Sequence, residues 1–156
     1  MSTENRVFLV VIDDSPELHA ALRYACRRAK RSGGRVAMLY VTEPPETQQW
    51  GAVAELMREE ERQKAEAAVS QHAATAMDMT GQAAIIHIRE GQIRDQLLKL
   101  IDEDQSISIL VLGMGSGPDG PGPLVSAMAG KYSTQLRVPV TLVPGGLSDA
   151  QVDAIS

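Results

Sequence analysis

The sequence predicts an α/β fold built on a five-stranded, mostly parallel open sheet with helices on both faces. Short apolar segments alternate with longer segments in which apolar residues recur at helical spacing. Helical crossovers join the five strand-like segments, and parallel neighbours need connections of that kind. Aromatic residues make up only 3% of the chain. Aliphatic side chains must therefore fill the core, which favours closely packed layers of helix on sheet.

The pattern of apolar residues places each element along the chain. The continuous apolar run over residues 7–12 is typical of a strand that is covered on both faces. Ser15 followed by Pro16 predicts a helix start with Ser15 as the N-cap, and Gly33 ends that helix. The other elements follow in alternation: strands at 36–41, 83–88, 107–112 and 140–143, and helices at about 52–77, 93–101 and 124–136.

Length, charge and cysteine content exclude several classes of protein. The 156 residues show no shift in composition, which predicts a single domain over residues 1–156, with its core at about 7–143 and a C-terminal tail at about 144–156. The net charge of −5 disfavours attraction to nucleic acid or anionic lipid. The apolar runs are too short for a signal peptide or a membrane span, and Cys26 is the only cysteine. We therefore expect a cytoplasmic protein with neither nucleic acid nor membrane as a partner.

Three loops are candidates for a ligand site. In open parallel sheets, ligands bind beyond the carboxyl ends of the strands, near the point where the strand order reverses. This rule selects Asp13 and Asp14 after the first strand, Val41 after the second, and Gly113 onward after the fourth. The apolar pattern alone does not order the strands.

The most informative segment for function is ILVLGMGSGPDGPGPL, residues 109–124, in which a buried-strand run breaks into five glycines. Glycine lacks the Cβ that would block close approach, and backbone N–H groups in such a loop can converge on an anion. The loop also contains Pro118, Pro121 and Pro123, each of which lacks an N–H donor. The sequence leaves two interpretations open, a phosphate-binding loop and a glycine–proline surface loop without a ligand.

The chain shows no pattern of catalytic or metal-binding residues. His19, His72 and His87 lie far apart, at no spacing that is typical of a metal site. Asp13 and Asp14 form the only acidic pair in a candidate loop, and no nucleophile stands beside an evident base. We therefore expect a protein that is not an enzyme and that holds no metal.

The order of these features resembles the universal stress protein family. The matching features are the strand that ends in Asp13, the strand that ends in Val41, the segment LVLGMGSG at 110–117, and Arg137-Val138-Pro139-Val140 leading into the last strand. The resemblance covers residues 7–143 and implies the adenine nucleotide alpha-hydrolase-like fold, with strand order 3-2-1-4-5. It also implies a homodimer that pairs through the last strand, at Val140, Thr141, Leu142 and Val143.

The resemblance also implies a candidate nucleotide cleft. Family members that bind ATP carry the loop pattern G-x2-G-x9-G-(S/T), of which only Gly113 is matched here, and Ala127 lacks the hydroxyl of the last position. Those members hold the adenosine near the first two strands and the phosphates on the glycine loop. The corresponding residues in this chain are Asp13, Val41, Gly113, Gly115, Ser116, Ser126 and Ala127.

Two functions follow from the resemblance. In the first, the protein is a regulatory stress-response factor whose altered cleft binds ATP or another adenine nucleotide. In the second, the substitutions at Ser116, Ser126 and Ala127 have removed nucleotide binding, and the chain is a dimeric interaction module for an unidentified protein partner.

Overall fold

The computed structural model describes residues 5–44 and 51–156. The strands are β1 (Val7–Val11), β2 (Arg35–Thr42), β3 (Ile85–Glu90), β4 (Ile107–Met114) and β5 (Val140–Pro144). The helices are α1 (Leu18–Ser32), α2 (Gly51–Thr80), α3 (Ile93–Glu103), α4 (Pro123–Ala129) and α5 (Asp149–Ile155), with a 3-10 turn over Ser133–Gln135. All pairs in the sheet are parallel, in the order β3-β2-β1-β4-β5. This confirms the predicted open α/β sheet and the strand order that the resemblance implied.

Helices cover both faces of the sheet. On one face, Phe8 and Val10 of β1 pack in a cluster with residues of α1, α2 and α5. On the other face, Leu9 and Val11 pack with residues of α3 and α4. Successive side chains of a strand point to opposite faces, so a strand between two helical layers must be apolar throughout. All five residues of β1 are buried, as this arrangement requires.

The strand order of the sheet reverses between β1 and β4. Leu9 of β1 pairs with Ala37 of β2 on one side and with Leu110 of β4 on the other. The helix after β1 lies on one face of the sheet, and the helix after β4 lies on the other. The two connections therefore diverge, which opens a crevice beyond the carboxyl ends of β1 and β4.

The start of α1 differs from the prediction. The helix begins at Leu18, and its N-cap residue Glu17 makes no side-chain capping bond. Asp13 instead accepts hydrogen bonds through Oδ1 from the backbone N of Ser15 at 3.0 Å and from its Oγ at 2.7 Å. The prediction of Ser15 as the N-cap is wrong, because the Asp13 carboxylate forms a local turn that holds Ser15 outside the helix.

The helix predicted over 124–136 is also shorter than expected. α4 ends at Ala129, and the next residue, Gly130, has φ −110° and ψ −112°, which is far from the helical region. Glycine disfavours a helix interior by about 1 kcal/mol relative to alanine. The apolar spacing of the segment was misleading because Leu136, which lies beyond the helix, still packs against the same core cluster.

The long helix α2 packs against the sheet through a few small residues. Ala65, Val69 and Ala76 are buried, whereas Leu56 in its second turn is 60% exposed.

In residues 5–44 and 51–156, no helix is long and apolar enough to cross a membrane.

The segment after β5 carries an ordered helix that the sequence analysis did not predict. Ser148 and Gln151 form a capping box at the start of α5: the Gln151 backbone N donates to Ser148 Oγ at 3.2 Å, and the Ser148 backbone N donates to Gln151 Oε1 at 2.9 Å. Val152 is fully buried and joins the core cluster of α1. The core therefore extends beyond residue 143 into the segment predicted as a tail.

Ion pairs add to the contact between α1 and α5. Arg23 donates to both carboxylate oxygens of Asp153, with both distances at 2.8 Å. Arg27 lies 3.5 Å from the same carboxylate. The hydrogen bond from Arg23 is the main reason why the pKa of Asp153 lies below its ordinary value.

We expect Asp153→Asn to lower the melting temperature at pH 7 and to have no effect in strong acid. A carboxyl group whose pKa is lowered by folding stabilises the protein above its unfolded pKa, and it loses that contribution as the pH falls through the folded pKa. Thermal melts followed by circular dichroism between pH 7 and pH 2.5 measure the difference. Asp119→Asn, in an exposed loop, is the control. A melting difference that is the same at every pH would contradict the assignment.

Candidate ligand-binding cleft

A cavity of about 460 Å³ opens in the crevice beyond β1 and β4. The two strand ends contribute Val10, Val11, Val111 and Leu112 to its walls, and all four side chains are buried. Small-molecule sites typically have this size and are lined mainly by apolar groups with a few polar ones. The position and the lining therefore define a candidate site for a small organic ligand.

Acidic groups predominate among the charged residues that line the cavity. Asp13, Glu17 and Glu43 contribute carboxylates, whereas Arg94 is the only arginine or lysine that lines the cavity among the described residues. Negative charge at this edge of the sheet also acts on β2. Burial is the largest cause that raises the pKa of Tyr40, and the nearby charges of Asp14, Glu61 and Asp13 raise it further. The cleft is thus better suited to a ligand of low negative charge than to a polyanion.

Asp13 lies directly beyond the end of β1 and is exposed to solvent. Both of its hydrogen bonds to Ser15 use Oδ1. The second carboxylate oxygen, Oδ2, is therefore available to accept a hydrogen bond from a ligand. The turn after β1 holds the carboxylate in place before any ligand binds, which lowers the entropy cost of using it.

Arg94 lies in the first turn of α3 and is a residue that the sequence analysis missed. Its guanidinium carbon lies 4.6 Å from the centre of the Tyr132 ring. Its Nε is buried and has no hydrogen-bond partner among the described residues. Stacking on an aromatic ring fixes the plane of a guanidinium while its N–H groups stay available to an anion. The rule that ligands bind at the carboxyl ends of parallel strands could have found Arg94, since α3 follows β3 at that edge.

Glu17 crosses the ends of β4 and β5, where two glycines make room for it. A Cβ at Gly113 would lie 2.6 Å from both the Cβ and the backbone O of Glu17, and a Cβ at Gly145 would lie 2.6 Å from its Cγ. A Cβ at Gly115 would lie 3.4 Å from its carboxylate Oε1. The glycines at 113 and 145 therefore have a packing role that requires no ligand.

The glycine-rich loop after β4 folds back on itself. The Gly115 backbone N donates to the Pro121 carbonyl at 3.0 Å, and the Gly120 N donates to the Gly117 carbonyl at 3.2 Å. Gly122 has φ +107°, a conformation that a residue with a side chain rarely adopts. The loop thus uses two of its own N–H groups internally, which leaves fewer to bind an anion.

Some of the predicted site residues line the cavity, and others do not. Those that line it are Asp13, Gly113 and Ala127. Those outside its lining are Val41, Gly115, Ser116 and Ser126.

The residues outside the lining have other surroundings. The side chain of Val41 packs against the core cluster on the α3 face, and Glu43, two residues further on, lines the cavity instead. The Ser116 Oγ lies beside Gly146, 3.3 Å from the position of a Cβ there. Ser126 is exposed on α4.

The sequence matches the universal stress protein family over residues 4–144, and the chain belongs to that family. The solved structure of the universal stress protein UspA from Lactobacillus plantarum is similar to it, with a TM-score of 0.74 and 18% identity, over 90% of this chain and 98% of that chain. A universal stress family protein from Burkholderia pseudomallei has a TM-score of 0.67 and 20% identity, over 92% and 98% of the two chains. At these identities the likeness shows the fold alone. No curated protein sequence matches the chain.

Other similar structures are complexes with adenine nucleotides. The universal stress protein from Archaeoglobus fulgidus in complex with dAMP has a TM-score of 0.56 and 17% identity, over 90% of this chain and 98% of that chain. Two further universal stress proteins, each with a TM-score of 0.57, are complexes with cAMP and, for the protein from Arabidopsis thaliana, with AMP. Adenine nucleotides thus bind to several proteins of this fold.

We expect Gly113→Ala to destabilise the protein by about 1–3 kcal/mol, the usual cost of overpacking. The added methyl group would overlap the Cβ and backbone O of Glu17. Gly117→Ala is the matched control, because no atom lies within 4 Å of a Cβ at that position. Urea unfolding curves measure both variants. Equal stability of the two variants would show that Glu17 does not pack against β4 as described.

Proposed function

We propose that the protein binds an adenine nucleotide in the cavity beyond β1 and β4 and acts as a regulatory factor rather than as an enzyme. The observation that carries the proposal is the cavity itself, with apolar walls and with Asp13 and Arg94 in its lining. A purine and a ribose present large, mainly apolar faces and a few polar groups, which is the combination that such a lining fits. The dAMP, cAMP and AMP complexes of proteins with the same fold support the choice of ligand class.

Two polar groups of the lining, Asp13 and Arg94, bind the ligand in this proposal. Asp13 Oδ2 accepts a hydrogen bond from a ribose hydroxyl or from the adenine amino group. Arg94 donates to a phosphate, for which a guanidinium has matching geometry. Leu124 and Ala127, the partly exposed apolar residues of the lining, contact the flat faces of the nucleoside. Binding then acts on other proteins through the loops at this edge of the sheet.

We expect Asp13→Asn to weaken AMP binding about tenfold, which corresponds to about 1.4 kcal/mol. Asparagine keeps the Oδ1 acceptor of the Ser15 turn, but its NH2 group, which donates and does not accept, replaces the Oδ2 acceptor that the ligand would use. Asp14→Asn, which removes the same charge one residue further on and outside the lining, is the control. Isothermal titration calorimetry gives the affinities, and mass spectrometry of freshly denatured protein identifies any nucleotide that copurified.

Two results would count against the proposal. The first is protein that purifies empty and gives no heat with AMP, cAMP or ATP. That result would favour the alternative, an interaction module for an unidentified protein partner. The second is ATP hydrolysis that Asp13→Asn abolishes, which would show that the protein is an enzyme.

A cytoplasmic location also remains a prediction, and fractionation of the source cells tests it.

We also propose that the protein forms a homodimer through β5. This strand lies at one edge of the sheet and pairs within the described chain only with β4. The Pro139 carbonyl and the Gly145 N both hydrogen-bond to β4, so the alternation of a strand turns the backbone groups of Val140 and Leu142 outward. An edge with free backbone groups and apolar side chains pairs readily with another strand.

We expect Thr141→Lys to convert a dimer into the single 16.8 kDa chain. Each copy would then bring a lysine to the paired edge, and charged residues on edge strands oppose pairing. Ile86→Lys at the opposite edge of the sheet, where Ile86 is 45% exposed, is the control. Light scattering coupled to size exclusion gives the mass. A wild-type monomer at all concentrations, or dissociation by Ile86→Lys alone, would refute pairing through β5.

A further inference from the structure

The Glu17 carboxylate occupies the base of the glycine-rich loop. The end of β4 and the turn after β5 flank its side chain at Gly113 and Gly145, where any Cβ would overlap it. Its Oε1 lies 3.4 Å from the position of a Cβ at Gly115, which is the first residue of the loop after β4. The Cβ and Cγ of Glu17 thus fill the space beside Gly113 and Gly145, and its carboxylate lies in van der Waals contact with the loop at Gly115.

The loop offers few donors to offset that negative charge. The N–H groups of Gly115 and Gly120 are bonded to carbonyls within the loop, and its three prolines have no N–H. A chain of phosphates laid along this loop would meet the Glu17 carboxylate, with only the N–H groups of Ser116, Gly117, Asp119 and Gly122 left to compensate. Repulsion between like charges at such distances is strong, since a partly enclosed site screens charge less than water does.

Arg94 supplies the opposite charge at the α3 side of the cavity. Within residues 5–44 and 51–156 it is the only arginine or lysine in the lining, and its side chain is 39% exposed. Stacking on Tyr132 orients its guanidinium. Its Nε has no hydrogen-bond partner among the described residues, and the nearest carboxylate, that of the exposed Asp95, lies 3.7 Å away. One guanidinium can bind a single phosphate through two parallel hydrogen bonds.

We propose that the cavity selects nucleotides with a single phosphate group. Arg94 binds that phosphate, and the Glu17 carboxylate, held among Gly113, Gly115 and Gly145, excludes longer phosphate chains. Glu17 is therefore a residue that determines specificity, and it acts by repulsion. This inference deepens the proposed nucleotide binding and rests on it.

The test compares adenosine, AMP and ATP by titration calorimetry in metal-free buffer. For the wild-type protein, we expect AMP to bind about tenfold more tightly than adenosine and at least about tenfold more tightly than ATP. Glu17→Gln should raise the affinity for ATP about tenfold and leave that for adenosine unchanged. Glu60→Gln removes the same charge from an exposed position on α2 and should change none of the three affinities.

Arg94→Met tests the other half of the proposal. Methionine keeps an unbranched side chain but removes the charge and the donors. We expect AMP to bind no more tightly than adenosine to this variant, while the affinity for adenosine stays at the wild-type value. This result does not depend on Glu17→Gln, so it tests the selection even if that variant fails to fold, which circular dichroism would show.

Different failures overturn different claims. If the wild-type protein binds ATP as tightly as AMP, or if folded Glu17→Gln leaves the ratio of the two affinities unchanged, Glu17 does not exclude phosphate chains. If Arg94→Met keeps the preference for AMP over adenosine, Arg94 does not bind the phosphate. If none of the three ligands binds to the wild-type protein, the proposed function itself is wrong.

Discussion

The burial of β1 on both faces is the constraint on which the rest of the structure depends. A parallel strand in the middle of a sheet exposes neither of its faces, so helices must cover it from both sides. Phe8 and Val10 meet one helical layer, and Leu9 and Val11 meet the other. The helices that follow β1 and β4 belong to different layers, and their divergence produces the crevice. The position of the cavity is thus a consequence of how the central strand is covered.

The fold was largely predictable because its strands are continuous apolar runs. Such runs are easily recognised, and the crossovers between them dictate parallel pairing. The strand order came only from the resemblance to the universal stress proteins. The errors lie where local interactions compete. Asp13 forms a turn with Ser15 in place of the predicted helix cap, and α4 ends at Gly130, whose backbone angles are not helical. The sequence also contains the capping box of α5, Ser148 and Gln151, within the segment predicted as a tail.

The candidate site was predictable only in part, for a different reason. Asp13 and Gly113 follow the ends of strands, and a general rule about parallel sheets selects such positions. The same rule could have located Arg94, but the orientation of its guanidinium depends on Tyr132, and the placement of Glu17 depends on Gly145, both far away in sequence. Contacts between residues so far apart produce no periodicity or motif in the sequence. A glycine-rich loop is ambiguous for the same reason, because the absence of a Cβ makes room equally for a ligand or for a side chain of the protein.

The packing of Glu17 has a consequence for how this chain can vary. Positions 17 and 145 share one small volume, in which the Cγ of Glu17 fills the space that a Cβ at 145 would need. A change at either position alone creates an overlap or a cavity, and each of these is costly in a packed interior. Relatives with a side chain at 145 should therefore carry a small residue at 17, so that the two positions change together. Gly145 and Glu17 lie near opposite ends of the sequence, yet a substitution at one of them calls for a substitution at the other.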